Sequence, residues 1–322
     1  MCSSDLKQTT LCNEASVSGI GVHSGSPVTL TLHPADAGTG IVFLRTGLPG
    51  RSDCEIRADV RAVTATEFAT VLGDDGGPLC ATAEHVLAAL AGLGVDNAVV
   101  EVDGPEVPIM DGSAEAFVAA IDHSGVRTLD APRRYLKVLK PVRVKRDHAR
   151  GELRPNDHGL RLDVEIAFDH PLIGRQRCAF DVSPETFRQE LSRARTFGFM
   201  RDVAKLWNQG YALGASFENT LVVSETRVLN SDGLRYPDEF VRHKALDALG
   251  DLALAGMPLL ATYRSIRGGH TLNHAIVSAL MADPTAWTVV EQPSPAPVAA
   301  QRRVRGYADV TSVAPAYGPD VS

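Results

Sequence analysis

The chain has 322 residues, which is enough for one large domain or for two domains of ordinary size. Hydrophobic residues make up 44% of the sequence and charged residues 22%, a normal balance for a globular protein. The formal net charge of −7 argues against a general preference for nucleic acid or for an anionic membrane, so an anionic substrate would need a local basic pocket.

Cysteine usage and the hydrophobic runs indicate the compartment. The odd number and scattered spacing of the cysteines argue against a disulfide framework and against a thiolate metal site, which favours the reducing cytoplasm. The polar start, 1–10, has no apolar signal core, and no run of about eighteen apolar residues is present to span a membrane. The cysteines are Cys2, Cys12, Cys54, Cys80 and Cys178.

In the first part of the chain, hydrophobic periodicity predicts both strands and helices. Thr82 is a candidate N-terminal cap for the first helix, and Gly92 and Gly94 mark its end. The strand candidates lie within 17–32 and at 40–44 and 98–102, and the helix candidates lie at 82–93 and 113–121.

The second part of the chain repeats this order after a polar segment, 125–134, that is typical of a linker. The sequence therefore predicts an α+β protein with an N-terminal domain over 1–128 and a C-terminal domain over 129–290. A Pro/Ala-rich tail, 291–322, is expected to be disordered and to add nothing to the core. Strands are predicted at 135–139, 142–145 and 160–168, and helices at 184–194, 199–209, 238–255 and 271–282.

The most informative segment is 240–252, in which His243, Asp247 and Asp251 are spaced four residues apart. On a helix this spacing places them in one polar stripe. Because the surrounding residues are strongly apolar, the helix should be buried, and buried ionisable groups need partners or a metal. The alternative is an ordinary His–Asp hydrogen bond on a solvated face.

Two further segments carry candidate catalytic groups. Glu84 and His85 are neighbours near a helix start, so if His85 binds a metal, Glu84 can reach a nearby water without being a ligand and serve as a general base. The alternative is a first-turn carboxylate favoured by the helix dipole. His270 follows Gly268 and Gly269, which permit a tight backbone and close approach of a ligand; the alternative is a solvent-exposed turn histidine.

Taken together, two histidines and one carboxylate make an open three-ligand zinc site, with a base and an acid nearby. This is a complete inventory for a hydrolase, although spacing alone does not show that the groups converge.

These segments closely resemble the LpxC family of UDP-3-O-acyl-N-acetylglucosamine deacetylases, which carry out the committed step of lipid A synthesis in Gram-negative bacteria. The resemblance runs from about Lys7 to about Val290 in the family's order. The supporting motifs are Gly19-Ile-Gly-Val-His-Ser-Gly, Glu106-Val-Pro-Ile-Met-Asp-Gly-Ser-Ala, Ser192-Arg-Ala-Arg-Thr-Phe-Gly-Phe-Met and Arg227-Val-Leu-Asn-Ser-Asp-Gly-Leu-Arg.

The resemblance implies a role for each candidate residue and a fold. The fold is two β-α-α-β sandwich domains packed through their helices, with the active site between them. Zn²⁺ is the expected cofactor, with Fe²⁺ as the alternative metal. The implied ligands are His85, His243 and Asp247; the implied catalytic residues are Glu84 as base, His270 as acid, Asp251 to orient His270, and Thr196 to polarise the substrate carbonyl.

The resemblance also implies how the substrate is held. Lys244 and Phe168 would contact the nucleotide-sugar part, and the segment 199–213 would line an apolar passage for the acyl chain. The bland alternative for that segment is a helix that faces the core. The further substrate-binding candidates are Phe197, Phe199, Met200, Val203 and Gly269.

One departure from the family pattern is Ala69, where many members carry a cysteine near the metal. Because that cysteine is not a ligand, the expected mechanism is unaffected. The expected partner is one small glycolipid-nucleotide substrate, with no nucleic acid and no integral membrane segment, and we expect a monomer. The alternatives are a zinc amidohydrolase for another acylated amino sugar and a catalytically silent protein that binds the same lipid.

Overall fold

The computed structural model describes residues 7–48, 50 and 52–291. The predicted disordered tail, 291–322, lies outside the described residues except for Glu291. The described residues form an α+β protein, which confirms the predicted class. The elements of the first part are β1 (Lys7–Leu11), β2 (Ala15–Ile20), β3 (Pro27–Pro34), β4 (Ile41–Arg45), β5 (Cys54–Arg57), β6 (Val63–Ala65), β7 (Val71–Asp74), β8 (Gly77–Cys80), α1 (Glu84–Leu93), β9 (Ala98–Val102), α2 (Glu115–Ser124) and β10 (Val126–Pro132).

A five-stranded sheet in the order β2-β3-β9-β4-β5 forms one layer of the first part. The alternation of residues in strand β3 explains why this sheet forms. Val28, Leu30 and Leu32 are buried, while the threonines between them face outward. The predicted strands within 17–32 and at 40–44 and 98–102 are confirmed. Strands β6, β7 and β8 form a separate small sheet, and at three or four residues each they are too short to show a clear alternation in the sequence.

The second part is built on a larger sheet with β18 at its centre. Strand β18 pairs antiparallel with β13 and parallel with β14 and β11. Strands β13 and β15 are rich in exposed arginine, so their sequences lack the apolar pattern that would predict a strand. The elements are β11 (Tyr135–Val138), β12 (Val142–Arg146), β13 (Ala149–Pro155), β14 (Leu160–Ala167), β15 (Arg175–Asp181), α3 (Pro184–Thr186), β16 (Phe197–Phe199), α4 (Val203–Asn208), β17 (Leu221–Val223), α5 (Glu239–Ala253), β18 (Leu259–Ile266), α6 (His270–Ala282) and β19 (Trp287–Val290).

The prediction of a linker at 125–134 is wrong, because most of this segment forms strand β10. This strand pairs antiparallel with β1 at the opposite end of the first part. Its side chains are mostly exposed, so the sequence lacks the apolar alternation that marks a half-buried strand. The predicted domain boundary after residue 128 falls inside β10, and the division into 1–128 and 129–290 stays a prediction.

Two predicted helices are shorter than expected. In place of 184–194 the chain forms α3 followed by a π-helical turn over Phe187–Leu191. In place of 199–209 it forms β16, a 3₁₀ turn over Met200–Asp202, and then the six-residue α4. Pairing of β16 with β17 extends the backbone at Phe199, which tertiary contacts impose over local propensity.

The first-helix cap was also predicted wrongly. Helix α1 begins after Ala83, and no side chain caps it. Thr82 instead has a positive φ of 58°, and its hydroxyl donates to the buried Glu106 carboxylate at 2.8 Å. Gly94 ends the helix in the left-handed conformation, as predicted.

Helices α1 and α5 cross in the centre of the molecule, and their apolar faces belong to one continuous core that includes both sheets. The crossing is unusually close at Gly250, where a Cβ would lie 2.0 Å from the carbonyl oxygen of Glu84. Only glycine therefore allows the start of α1 to touch the C-terminal part of α5.

The C-terminal parts of the same two helices border a cavity of about 550 Å³, whose lining includes Leu90 and Leu252. None of the candidate catalytic residues lines it. No helix in the described part of the chain is long and apolar enough to cross a membrane.

We expect Gly250→Ala to lower the free energy of unfolding. Helix propensity alone would raise it by about 1 kcal/mol. A methyl group against a backbone carbonyl is overpacking, which typically costs about 1–3 kcal/mol, and that carbonyl moves only if helix α1 moves. Denaturant unfolding measures the difference. Gly198→Ala is the matched control, since its Cβ would meet only a Thr220 methyl at 3.9 Å; equal effects of the two changes would contradict the close crossing.

Candidate metal centre and active site

The crossing of α1 and α5 brings together a buried group of three metal-ligand side chains, His85, His243 and Asp247. Asp247 Oδ1 lies 3.3 Å from His243 Nε2 and 3.5 Å from His85 Nε2. The two imidazole rings stand nearly perpendicular, with centroids 5.1 Å apart. The helical stripe of α5 supplies two of these groups, and the first turn of α1 supplies the third.

These residues fit a tetrahedral metal ion on two independent observations. Asp247 Oδ1 is buried and has no hydrogen-bond partner, an expensive state for a carboxylate oxygen unless a cation occupies the space beside it. Zinc bonds of about 2.0–2.1 Å place two tetrahedral ligand atoms roughly 3.4 Å apart, which agrees with the two measured separations.

The protonation states of the group also suit a metal. His243 Nδ1 donates to the carbonyl oxygen of Ala194 at 3.0 Å, which leaves Nε2 as the lone-pair atom facing the group. Burial lowers the pKa of His243 to about 3. Burial opposes the charge of Asp247, but His243 and the Lys244 ammonium, 2.8 Å from Oδ2, hold the pKa of Asp247 well below its ordinary value. The ligands are therefore a neutral imidazole and a carboxylate, the forms that bind metal.

Glu84 and His270 face each other beside this group. Glu84 Oε1 lies 3.7 Å from His270 Nε2, and His270 Nε2 lies 4.0 Å from Asp247 Oδ2. His270 Nδ1 donates to Asp251 Oδ2 at 2.9 Å. The stripe on α5 is thus divided: His243 and Asp247 belong to the metal group, while Asp251 orients a histidine from α6.

Opposite pKa shifts separate Glu84 from His270. Burial raises the pKa of the Glu84 carboxyl, and the positive charge of His270 partly opposes that rise. Burial would lower the pKa of His270, but the carboxylates of Asp251, Glu84 and Asp247 outweigh it and raise the pKa to about 9. At neutral pH the imidazole is therefore protonated and can act as an acid.

Sequence reasoning missed three buried polar residues that support this arrangement. Thr70 donates its hydroxyl to Asp251 Oδ1 at 2.5 Å, and Asn273 donates its amide to Asp251 Oδ2 at 2.8 Å. Tyr263 in turn donates to Asn273 Oδ1 at 2.6 Å. Only proximity to the noted Ala69 and His270 could have drawn attention to them, because a lone threonine or asparagine carries no spacing signal.

The segment before β16 is fixed against α5 by a buried ion pair. Arg195 donates through Nε to Glu239 Oε1 at 2.9 Å, and both residues are almost fully buried. This ion pair holds the Ala194 carbonyl against His243. It also fixes the position of Thr196, the next residue after Arg195, which is half-buried. The Thr196 N–H donates to the carbonyl of Gly112. The backbone of the predicted carbonyl-polarising residue is thus anchored beside the metal group.

An aromatic group adjoins the ligands on one side. The rings of Phe168, Phe197 and Phe199 lie 5.6–6.4 Å apart in pairs, and Phe197 is 6.3 Å from the His243 ring. Lys244 Nζ lies 5.6 Å from the centre of the Phe197 ring. Lys244 and the three predicted phenylalanines therefore share one wall next to the metal group.

The outer part of the predicted passage is exposed. Met200 is 54% exposed, Val203 is half-buried, and α4 contains no buried residue. A helix that faces the core would bury its apolar stripe, so the structure does not support the alternative of a core-facing helix. Leu213 joins this segment to the first part of the chain by a backbone hydrogen bond to His23.

The two glycines before His270, Gly268 and Gly269, have different surroundings. A Cβ at Gly268 would lie 2.3 Å from the Ser265 hydroxyl, so the tight backbone depends on Gly268. Gly269 precedes α6 in an extended conformation, and a Cβ there would meet nothing within 4 Å. The tight backbone therefore lies at Gly268, and the open space beside Gly269 leaves room for a ligand.

A buried His–His–Asp ligand set, with a carboxylate and a protonated histidine beside it, defines a metal-dependent hydrolase. The LpxC family model, described as UDP-3-O-acyl N-acetylglycosamine deacetylase, matches residues 8–282, and the chain belongs to this family.

Several curated relatives are named UDP-3-O-acyl-N-acetylglucosamine deacetylase. The proteins from Brucella ovis and Brucella canis are 51% identical over 285 residues, which cover 88% of this chain and 98% of each relative. The protein from Brucella melitensis biotype 2 is 50% identical over the same length. The family and the deacetylase class predicted from the motifs are thereby confirmed.

We expect Asp251→Asn to lower the pKa of His270, because it removes the nearest negative charge. In the metal-free protein His270 should stay protonated through neutral pH and lose its proton as the pH rises through about 9. In the variant the same loss should occur at lower pH. An NMR titration of the histidine ring signals measures both, with His270→Gln to assign the signal. An unchanged midpoint would show that Asp251 does not set the charge of His270.

Proposed function

We propose that this chain hydrolyses the 2-acetamido group of UDP-3-O-(3-hydroxyacyl)-N-acetylglucosamine, releasing acetate and a free sugar amine in the committed step of lipid A biosynthesis. The observation that carries the proposal is the convergence of His85, His243 and Asp247 beside Glu84 and His270 in a member of this family. We further propose that it acts as a monomer in the cytoplasm.

His85, His243 and Asp247 would hold the metal, for which we propose Zn²⁺, with Fe²⁺ as the alternative. Two imidazoles and one carboxylate are the ligand set of an open catalytic zinc site. When bound, the ion would supply Lewis-acid polarisation of a carbonyl. It would also lower the pKa of water, so that water can lose a proton and attack at neutral pH. Lys244 supports the ligand Asp247 by neutralising its second oxygen.

Proton transfer is assigned to the two groups that face each other. The Glu84 carboxylate accepts a proton from the attacking water, and its Oε2 is steadied by the Thr70 N–H at 3.0 Å. The imidazolium of His270 gives its Nε2 proton to the leaving amine nitrogen, which is otherwise a poor leaving group. Asp251 keeps the other ring nitrogen occupied, so Nε2 is the atom directed at the site.

Substrate contacts follow the walls of the site. Thr196 helps to polarise the acetyl carbonyl, and the wall of Lys244 and Phe168 contacts the nucleotide-sugar part. Space next to Gly269 accommodates the sugar. The acyl chain passes along a row of half-buried and exposed apolar side chains, which are Phe197, Phe199, Met200 and Val203.

Incubation of zinc-loaded protein with UDP-3-O-(3-hydroxymyristoyl)-N-acetylglucosamine tests the proposal, with released acetate and free amine as readouts. Hydrolysis of this substrate in preference to acylated amino sugars without the nucleotide supports it. Tight binding without acetate release would instead indicate a silent binding protein, and equal hydrolysis of other acylated amino sugars would indicate a broader amidohydrolase.

Substitution at the metal group should separate ligands from the base. We expect His243→Ala and Asp247→Ala to weaken zinc binding and abolish most activity, because each removes one of three ligands. We expect Glu84→Ala to keep the metal and lose about 10²- to 10⁴-fold in kcat, the usual contribution of a general base. Metal content by atomic absorption and acetate release measure the two effects.

His148→Ala, which removes an exposed histidine at the β12–β13 turn, is the matched control for nonspecific metal loss. Full zinc content in both ligand variants would contradict the ligand assignment, and normal turnover in Glu84→Ala would remove Glu84 from the mechanism.

We expect the acyl chain to accelerate the chemistry as well as binding. Each buried CH₂ contributes about 0.8 kcal/mol, part of which can align the acetamide with the attacking water. UDP-N-acetylglucosamine without an acyl chain should therefore show a lower kcat and a higher KM. Val203→Trp should slow long-chain substrate selectively, whereas Ala204→Trp on the exposed side of α4 should not. A comparable kcat for the unacylated nucleotide would refute the idea.

A further inference from the structure

Thr70 is a buried residue, 2% exposed, that contacts both sides of the proposed proton-transfer pair. Its backbone N–H donates to Glu84 Oε2 at 3.0 Å, and its hydroxyl donates to Asp251 Oδ1 at 2.5 Å. The same hydroxyl lies 3.4 Å from His270 Nδ1. One residue between β6 and β7 therefore reaches the start of α1, the last turn of α5 and the start of α6.

The hydroxyl completes the set of donors around Asp251. The Oδ2 atom of Asp251 accepts from His270 Nδ1 and from the Asn273 amide, and the Oδ1 atom accepts from Thr70. Asp251 is 1% exposed, so no bulk water can replace a missing donor. Without the Thr70 hydroxyl, Oδ1 would be a buried carboxylate oxygen with no partner, and the carboxylate could turn to recover one.

Turning of that carboxylate would move His270. The imidazole depends on Asp251 Oδ2 for the placement of its Nδ1–H, and the reacting Nε2 lies on the far side of the ring. A small rotation at Asp251 therefore changes the distance between Nε2 and the leaving nitrogen. Outer hydrogen-bond partners of this kind typically contribute about 10- to 100-fold to activity.

We propose that Thr70 is a positioning residue that holds Asp251, and through it the acid His270, in register with the base Glu84. The inference rests on the proposed function, because it assigns Thr70 to the same proton-transfer pair. Thr70 has no contact with the metal ligands among the hydrogen bonds it makes in the described part of the chain, so its effect is on the acid and base rather than on metal binding.

A second threonine pair nearby provides a matched control. The Thr66 and Thr271 hydroxyls are 3.0 Å apart and join the same loop to the same helix, one residue from His270. This pair touches neither Asp251 nor Glu84. If Thr70 merely tethered the loop to α6, loss of the Thr66 hydroxyl would have a similar effect.

The test compares Thr70→Val, Thr70→Ser and Thr66→Val in zinc-loaded full-length protein. Valine keeps the shape of threonine and its backbone N–H but removes the hydroxyl, so kcat should fall about 10- to 100-fold with KM and zinc content nearly unchanged. Serine restores the hydroxyl and should return kcat to within about threefold of the original. Thr66→Val should leave kcat unchanged. A rise in KM alone, no rescue by serine, or an equal loss in Thr66→Val would overturn the proposal.

A double-mutant cycle with Asp251→Asn shows whether Thr70 acts through Asp251. If it does, adding Thr70→Val to Asp251→Asn should cost less than about twofold, because the interaction is already lost. Independent, multiplying losses would contradict the proposal. In the metal-free protein, the downfield Nδ1–H signal of His270 should shift or broaden in Thr70→Val and remain in Thr66→Val and Thr70→Ser.

The outcomes separate this inference from the proposed function. If the original protein releases no acetate, the proposed function fails, while the His270 signal still tests the contact of Thr70. If the original protein is active and Thr70→Val is equally active, only the positioning role fails. Thr70→Ala, which only removes atoms, is used if the valine variant does not fold; failure of both to fold would show that Thr70 is structural and would overturn the proposal.

Discussion

The close crossing of α1 and α5 is the contact on which the rest of the site depends. Gly250 has no side chain to separate the helices, so the backbone at Glu84 lies directly against it. That contact places the first turn of α1 beside the stripe of α5. Glu84 then lies beside His270, and His85 lies beside Asp247 and His243. A larger separation would split the ligands between two surfaces.

Burial makes this arrangement costly unless its charges are balanced. The site holds carboxylates and imidazoles that are almost fully buried, together with the ammonium of Lys244. Each carboxylate of the site is matched: Asp247 with Lys244 and the metal that its free oxygen fits, Asp251 with three donors, and Glu84 with His270 and a backbone N–H. The same balance keeps His243 neutral and His270 charged, so burial and pairing assign different roles to chemically equal side chains.

The wall that we propose to contact the substrate is built differently, from a segment that stays half-exposed. The ion pair of Arg195 and Glu239 anchors its beginning, and pairing of β16 with β17 straightens it past Phe199. Beyond that point α4 buries nothing, which leaves apolar side chains at the surface, whereas the four longer helices all contain buried residues. An apolar surface next to a polar, buried reaction centre matches a substrate with a hydrocarbon chain and a charged nucleotide.

The sequence by itself determined the α+β class and the family, and it predicted the polar stripe of α5 and the neighbouring Glu84 and His85 of α1 as candidate site residues. These are local patterns: helical spacing holds wherever the helix forms, and long motifs carry the family in their order. Only the tertiary structure decided that Thr70 contacts both Glu84 and Asp251, and that most of 125–134 is a paired strand. Those features depend on partners far apart in the chain. Thr70 and Asp251 are separated by 181 positions, and no local pattern encodes such a contact.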